Sequence, residues 1–232
     1  SETALPVDLA AIISNFSARA GLVGLNNGKT GAVTFIGTVS PAGGNLKEPV
    51  TESTKKAARC FYGLEQNRAD QKRYPAVNPI ESYSKYLEYP EIIAYLDEQV
   101  EHGWVANVTK AKNLLRRGRE ANEQINILGD DGVPVAYHVS FWKSELIDFV
   151  FLQQDAFDET DALCPMDRQK YMLDLVLDIC GIDFDFEDFE KCREFFKELI
   201  NDLRQMNYTK FHSEGFENYA EKIHKLIEDY GK

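Results

Sequence analysis

The chain has 232 residues, enough to bury a substantial core as one large domain or two smaller ones. Its 44% hydrophobic and 28% charged residues are ordinary for a globular protein. A formal net charge of −12 argues against nucleic acid, which needs a basic face, and against direct docking on an anionic membrane. In chain order, Val7 to Ala20 carries Leu9, Ile12, Ile13 and Phe16 at helical spacing, with Gly21 as the stop. Asn26-Asn27-Gly28 signals a turn, and Ala32 to Val39 predicts a buried strand through Val33, Phe35 and Ile36. Pro41 to Asn45 is a loop. Thr51 can cap a helix reaching about Leu64, with Ala57, Ala58, Phe61 and Leu64 on one face. Both prolines bias Tyr74 to Pro79 toward extended chain.

From Ser82 onward strand signals almost vanish. Helices are predicted from Pro90 to about His102, and from about Val108 to Leu128. Gly129 to Gly132 breaks the chain, and Pro134 fits as the first residue of a helix running to about Gln154. Further helices are predicted from Asp167 to Cys180, from Asp185 through Leu203, and from Glu214 to Tyr230. The last carries Phe216, Tyr219, Ile223, Leu226 and Ile227 on one stripe. The composition shift between Ser82 and Pro90 marks the domain boundary, α/β before it and all-α after: residues 1–85 and 86–232.

Four cysteines without CxxC spacing read as free thiols of a reducing compartment, not as a disulfide framework. Four histidines far apart in sequence give no metal-ligand pair. No basic stretch precedes an apolar run at the N-terminus, so no signal peptide is expected. The longest apolar patch, Leu146 to Leu152, is interrupted by Asp148 and is far too short to span a bilayer. No direct membrane insertion is expected.

Gly24-Leu25-Asn26-Asn27-Gly28-Lys29-Thr30 looks like a phosphate-binding loop but fails twice. The glycines stand one position too close for GxxxxGK[ST]. Such a loop must also follow a strand and open a helix, so that backbone N–H groups and the helix dipole face phosphate; here a helix precedes and a strand follows. An exposed connection is the reading adopted. The alternating acids and aromatics of Asp183 to Glu190 suit a helix N-terminus with core phenylalanines. Spacing alone defends no nucleophile elbow, Cys/His pair or paired carboxylates, and no catalytic residue is assigned.

Five ordered segments resemble the catalytic A subunit of V-type and archaeal A-type rotary ATPases. Leu9-Ala10-Ala11 with Ala18-Arg19-Ala20-Gly21 resembles its RLA…ERAG helix. Gly31 to Thr34 and Val39 to Gly44 resemble GAVT…VSPPGGD. Glu48 to Thr51 with Ser53-Thr54 resembles SEPVTQST. Tyr74 to Asn78 and Ser82 to Ser84 resemble FPAIN…SYS. Phe151 to Phe157, then Asp161-Ala162 and Cys164, resemble FLQQNAF…DAYC. Departures are Asn45 for Asp, Lys47 for Ser, Pro79 for Trp and Asp155 for Asn, and Gly132 to Trp142 matches poorly.

The resemblance implies the tail of a RecA-like nucleotide-binding domain followed by a helical bundle. It also implies ATP hydrolysis or synthesis coupled to ion transport. Carried over, Tyr74 and Phe157 flank the adenine of ATP or ADP; Mg²⁺ and the phosphates belong to segments upstream of this chain. The implied partners are a non-catalytic B subunit in an alternating ring and central-stalk rotor subunits, reached through the turn Gly129 to Pro134. The implied location is cytoplasmic, peripheral to a membrane-bound complex. By itself such a chain should be catalytically incomplete. The alternatives are a flagellar or type III secretion ATPase, against which the long helical tail speaks, and a non-enzymatic helical interaction module in which the aromatics are only core.

Overall fold

The computed structural model describes residues 8–230. Among the described residues the short strands all lie before Lys85 and helices dominate after it, so the class is α/β followed by all-α.

Helix α1 (Leu9–Ser17) ends earlier than its periodicity suggests, and Val7 lies outside the described residues. Gly21, expected to stop the helix, instead opens β1 (Gly21–Gly24). This strand pairs antiparallel with β2 (Thr30–Val33), Gly21 opposite Val33 and Gly24 opposite Thr30. The turn between them is Asn27-Gly28: Asn27 Oδ1 accepts from the Lys29 N–H at 3.0 Å, and Gly28 takes φ +81°. The strand expected over Ala32 to Val39 therefore ends at Val33. β1 offers only four residues to pair with, and Val33 and Ile36 are exposed rather than buried. Phe35 leans on Phe16 instead, ring centroids 5.4 Å apart.

Helix α2 (Pro49–Ala57) is shorter than expected and differently capped. The cap is Glu48, whose carboxylate accepts from the Val50 and Thr51 N–H groups, with Pro49 fixed in the first turn. The chain leaves the helix at Ala58 because β3 (Cys60–Phe61) pairs with β4 (Tyr83–Ser84), which puts Phe61 in a strand and Leu64 at the surface. A short helix α3 (Gln66–Asp70), invisible in the periodicity, follows. Tyr74 to Pro79 is extended as expected and lies against Gly63 to Glu65. The Glu65 N–H donates to the Ala76 carbonyl at 2.9 Å and the Asn78 N–H to the Gly63 carbonyl at 2.7 Å; the Tyr74–Pro75 peptide is cis.

The helical part begins with α4 (Pro90–Gln99) and α5 (Trp104–Leu128). The α5 N-terminus lies four residues earlier than the spacing predicts, because buried Trp104 anchors it behind Gly103 at φ +81°. The turn after Leu128 returns the chain as α6 (Val135–Leu146), with Pro134 just ahead of the first turn rather than in it. His138 Nε2 bonds the Asp130 carbonyl at 2.8 Å and holds that turn. α6 does not continue to Gln154; it widens into a π-helical segment, Ile147–Leu152.

Helices α7 (Met166–Cys180), α8 (Phe189–Asn207) and α9 (Glu214–Tyr230) complete the bundle. The core lies between α6, the π segment, α7, α8 and α9, around Leu146, Ile147, Phe196, Leu199, Leu203 and Phe216, none of them solvent-exposed. α8 starts at Phe189, not Asp185. Phe184 and Phe186 pack against Phe195, Phe196 and Tyr230, which keeps 183–187 out of helix, and Asp188 caps the Lys191 N–H at 2.8 Å.

Candidate functional site

Two loops meet where the α/β part touches the bundle. One runs from α3 through Arg73 to Tyr74. The other leaves the π segment at Gln153 and reaches Phe157. They are joined backbone to backbone: the Gln154 N–H donates to the Tyr74 carbonyl at 2.9 Å.

The second loop is shaped by its own polar side chains. Asp155 Oδ1 accepts from the Phe157 N–H at 2.9 Å, and Asp161 Oδ2 from the Asp155 N–H at 2.7 Å. Gln154 Nε2 donates to the Asp161 carbonyl at 2.8 Å. Burial pushes the Asp161 carboxyl upward, partly offset by the Asp155 N–H. The result presents Phe157 almost wholly to solvent, 98% exposed, with Tyr74 half exposed at 50%. Both side chains are reachable from solvent, and an exposed aromatic suits stacking on a base. Tyr74 is steadied by its hydroxyl, 3.3 Å from the Ala69 carbonyl it donates to.

Behind these loops lies an ion network that the sequence reading missed. Arg68 donates both terminal nitrogens to Asp148, at 2.8 and 2.7 Å. Arg73 donates to Asp148 at 2.7 Å and to both oxygens of Glu145 at 3.2 and 2.9 Å. Burial works against the charged Asp148, but the hydrogen bonds and charges of Arg68 and Arg73 prevail and hold its carboxyl below the usual range. At Glu145 burial prevails over Arg73 and pushes the carboxyl up. Burial also opposes the Arg73 charge, yet the two carboxylates raise its already high pKa further. Two guanidiniums lie near the Phe149 ring, Arg73 at 4.5 Å and Arg204 at 5.6 Å from its centre. The available signal was Asp148 itself, a charge within an apolar run.

Gly24 to Thr30 occupies the β1–β2 connection, with a strand on each side, so no helix N-terminus faces a phosphate there. Among the described residues no group of three or more His, Cys, Asp or Glu is arranged to hold a metal ion. None of the described helices is long and apolar enough to cross a membrane. A cavity of about 220 Å³ opens elsewhere, between α5, α6 and α8, beside Asp130, His138 and Arg193.

Residues 1–84 match the nucleotide-binding domain of the ATP synthase alpha/beta family, and residues 94–181 match the C-terminal domain of V and A type ATP synthase. The V-type ATP synthase alpha chain of Protochlamydia amoebophila is 38% identical over 231 residues, all of this chain and 38% of that protein. The V-type ATP synthase alpha chain of Chlamydia muridarum is 40% identical over 227 residues, 98% of this chain and 38% of that protein. The chain belongs to the V/A-type ATP synthase alpha-chain family. It matches the C-terminal part of that subunit and spans about two fifths of the length of these relatives. In fold it resembles an ATP synthase subunit, NeqB, from Nanoarcheaum equitans, with a TM-score of 0.56 and 19% identity, covering 76% of this chain and 41% of the other.

Proposed function

We propose that this chain forms the C-terminal part of the ATP-binding subunit of a rotary, ion-translocating ATP synthase or ATPase. The reading rests on the match along the whole chain to alpha chains of V-type ATP synthases. It is supported by one geometric observation: two loops far apart in sequence meet at the Gln154–Tyr74 hydrogen bond, each carrying an exposed aromatic. Tyr74 and Phe157 flank the adenine of ATP or ADP. Their faces bind the base through stacking, which contributes about 1–3 kcal/mol per base. The phosphates and Mg²⁺ are held by a phosphate-binding loop and carboxylates that these 232 residues do not supply.

Residues 1–85 then form the tail of a RecA-like domain and 86–232 a helical domain. The subunit alternates with non-catalytic B subunits in a ring peripheral to the membrane. The acidic turn Gly129 to Pro134 faces the central stalk, flanked by exposed Ile127, Leu128 and Tyr137.

On this reading the chain alone does not hydrolyse ATP, and calorimetry with Mg-ATP shows no binding at micromolar concentration. Stoichiometric binding there would refute it. A cysteine at Asp131 in the assembled complex should cross-link to a stalk subunit. Reaction only with solvent probes in every rotary state would remove the stalk contact.

A further inference from the structure

We propose that Arg73, with Glu145 and Asp148, is a positioning cluster that sets how far apart the two adenine-facing aromatics stand. The inference rests on the adenine reading of Tyr74 and Phe157. Arg73 immediately precedes Tyr74, and its guanidinium is held at three points, two on Glu145 and one on Asp148. Those carboxylates stand at the end of α6 and in the π segment, whose chain leads directly to Gln154 and Phe157. Asp148 also takes both terminal nitrogens of Arg68 from the other end of the Tyr74 loop. Its own carbonyl accepts the Gln153 N–H at 2.9 Å, next to the Gln154 N–H that meets Tyr74.

Both loops are therefore referred to one buried carboxylate. The side chains of Arg68 and Asp148 are 11% and 8% exposed, those of Arg73 and Glu145 18% and 13%. Two guanidiniums face two carboxylates, so the cluster balances, and removing either acid leaves an unmatched buried cation. The planar fork fixes direction as well as distance, which a lysine at position 73 could not do. Neither Tyr74 nor Phe157 is held by surrounding core, since both are exposed; their separation depends on the backbone that this cluster ties down.

The test uses the assembled complex, with Glu145→Gln and Arg73→Lys beside Tyr74→Ala and Phe157→Ala. The positioning variants should raise KM for ATP about fivefold, the lower end of what base stacking contributes. kcat should change less, because the reacting phosphate lies elsewhere, and the preference for ATP over GTP should narrow. In the 232-residue chain, the Gln154 amide should exchange hydrogen faster in Glu145→Gln than in the wild type. If Tyr74→Ala and Phe157→Ala raise KM while Glu145→Gln and Arg73→Lys leave KM and base preference unchanged, the positioning role is overturned and the adenine reading stands. If neither aromatic variant alters KM, the adenine reading falls and takes the inference with it. Unchanged Gln154 exchange in Glu145→Gln would overturn the tether in a protein that still folds.

Discussion

Replacing Gly118 with alanine tests the helical hairpin on which the bundle is built. A methyl group on Gly118 of α5 would stand 2.0 Å from Cβ of Ser144 on α6 and 2.5 Å from its Oγ, with the Ser140 carbonyl oxygen at 3.2 Å. Carbon atoms pack at about 3.5–4.0 Å, so α5 and α6 must separate. Ser144 Cβ cannot rotate away, because its place is set by the backbone. Overpacking of this kind costs about 1–3 kcal/mol, and a clash with Cβ belongs at the upper end. Alanine returns about 1 kcal/mol of helix propensity over glycine, leaving a net loss of about 2 kcal/mol. In a chain of this size that lowers Tm by about 4–8 °C. Urea unfolding should show a lower midpoint at unchanged slope. Adding Ser144→Gly should recover most of the loss, whereas adding Ser144→Ala, which keeps Cβ, should not. A Gly118→Ala protein as stable as the wild type, or more so, would refute the close crossing of α5 and α6.

Phe196→Ala should cost about 3–5 kcal/mol in urea unfolding, because the ring is fully buried against Phe184 and Trp142. Asp148→Asn should destabilise by about 3–5 kcal/mol at pH 7, since it leaves Arg68 and Arg73 short of a buried counter-charge. The folded Asp148 carboxyl titrates below its unfolded value of about 3.9. Its contribution is therefore complete above about pH 4 and fades as pH falls through the folded value; the gap between wild type and Asp148→Asn, followed by unfolding from pH 7 to pH 3, should narrow on that path. Cys180 and Cys192 are buried, and burial pushes both thiols up to about 12. In the native protein at pH 8 iodoacetamide should spare them and label half-buried Cys60, while the denatured chain should label at all four cysteines.

Much of the helical part was legible because its signals are local. Glu214 to Tyr230 forms a helix with the predicted bounds, and the stripe through Phe216 and Ile223 is the face it buries. Gly129 to Pro134 breaks the chain where glycine and proline said it would. What was hidden depended on distant partners. Ala32 to Val39 has strand composition, yet pairing stops where β1 runs out. Phe61 reads as part of a helical stripe but is taken by β4. The end of α6 reads as helix to Gln154, but a π segment carrying Asp148 forms there, and the arginines that bind Asp148, one on α3 and one on the loop after it, lie 80 and 75 positions earlier. At the candidate site the aromatics were named through resemblance to a family, while the ion cluster behind them was foreshadowed only by a charge in an apolar run.

Photolabelling with 2-azido-ATP tests most directly whether this chain contributes the adenine-facing wall. The native complex containing the subunit would be labelled and digested, and the modified peptides sequenced. The account predicts label on the peptides carrying Tyr74 or Phe157, abolished by excess ATP. Saturable label placed only on other parts of this chain, with both peptides unmodified, would contradict it.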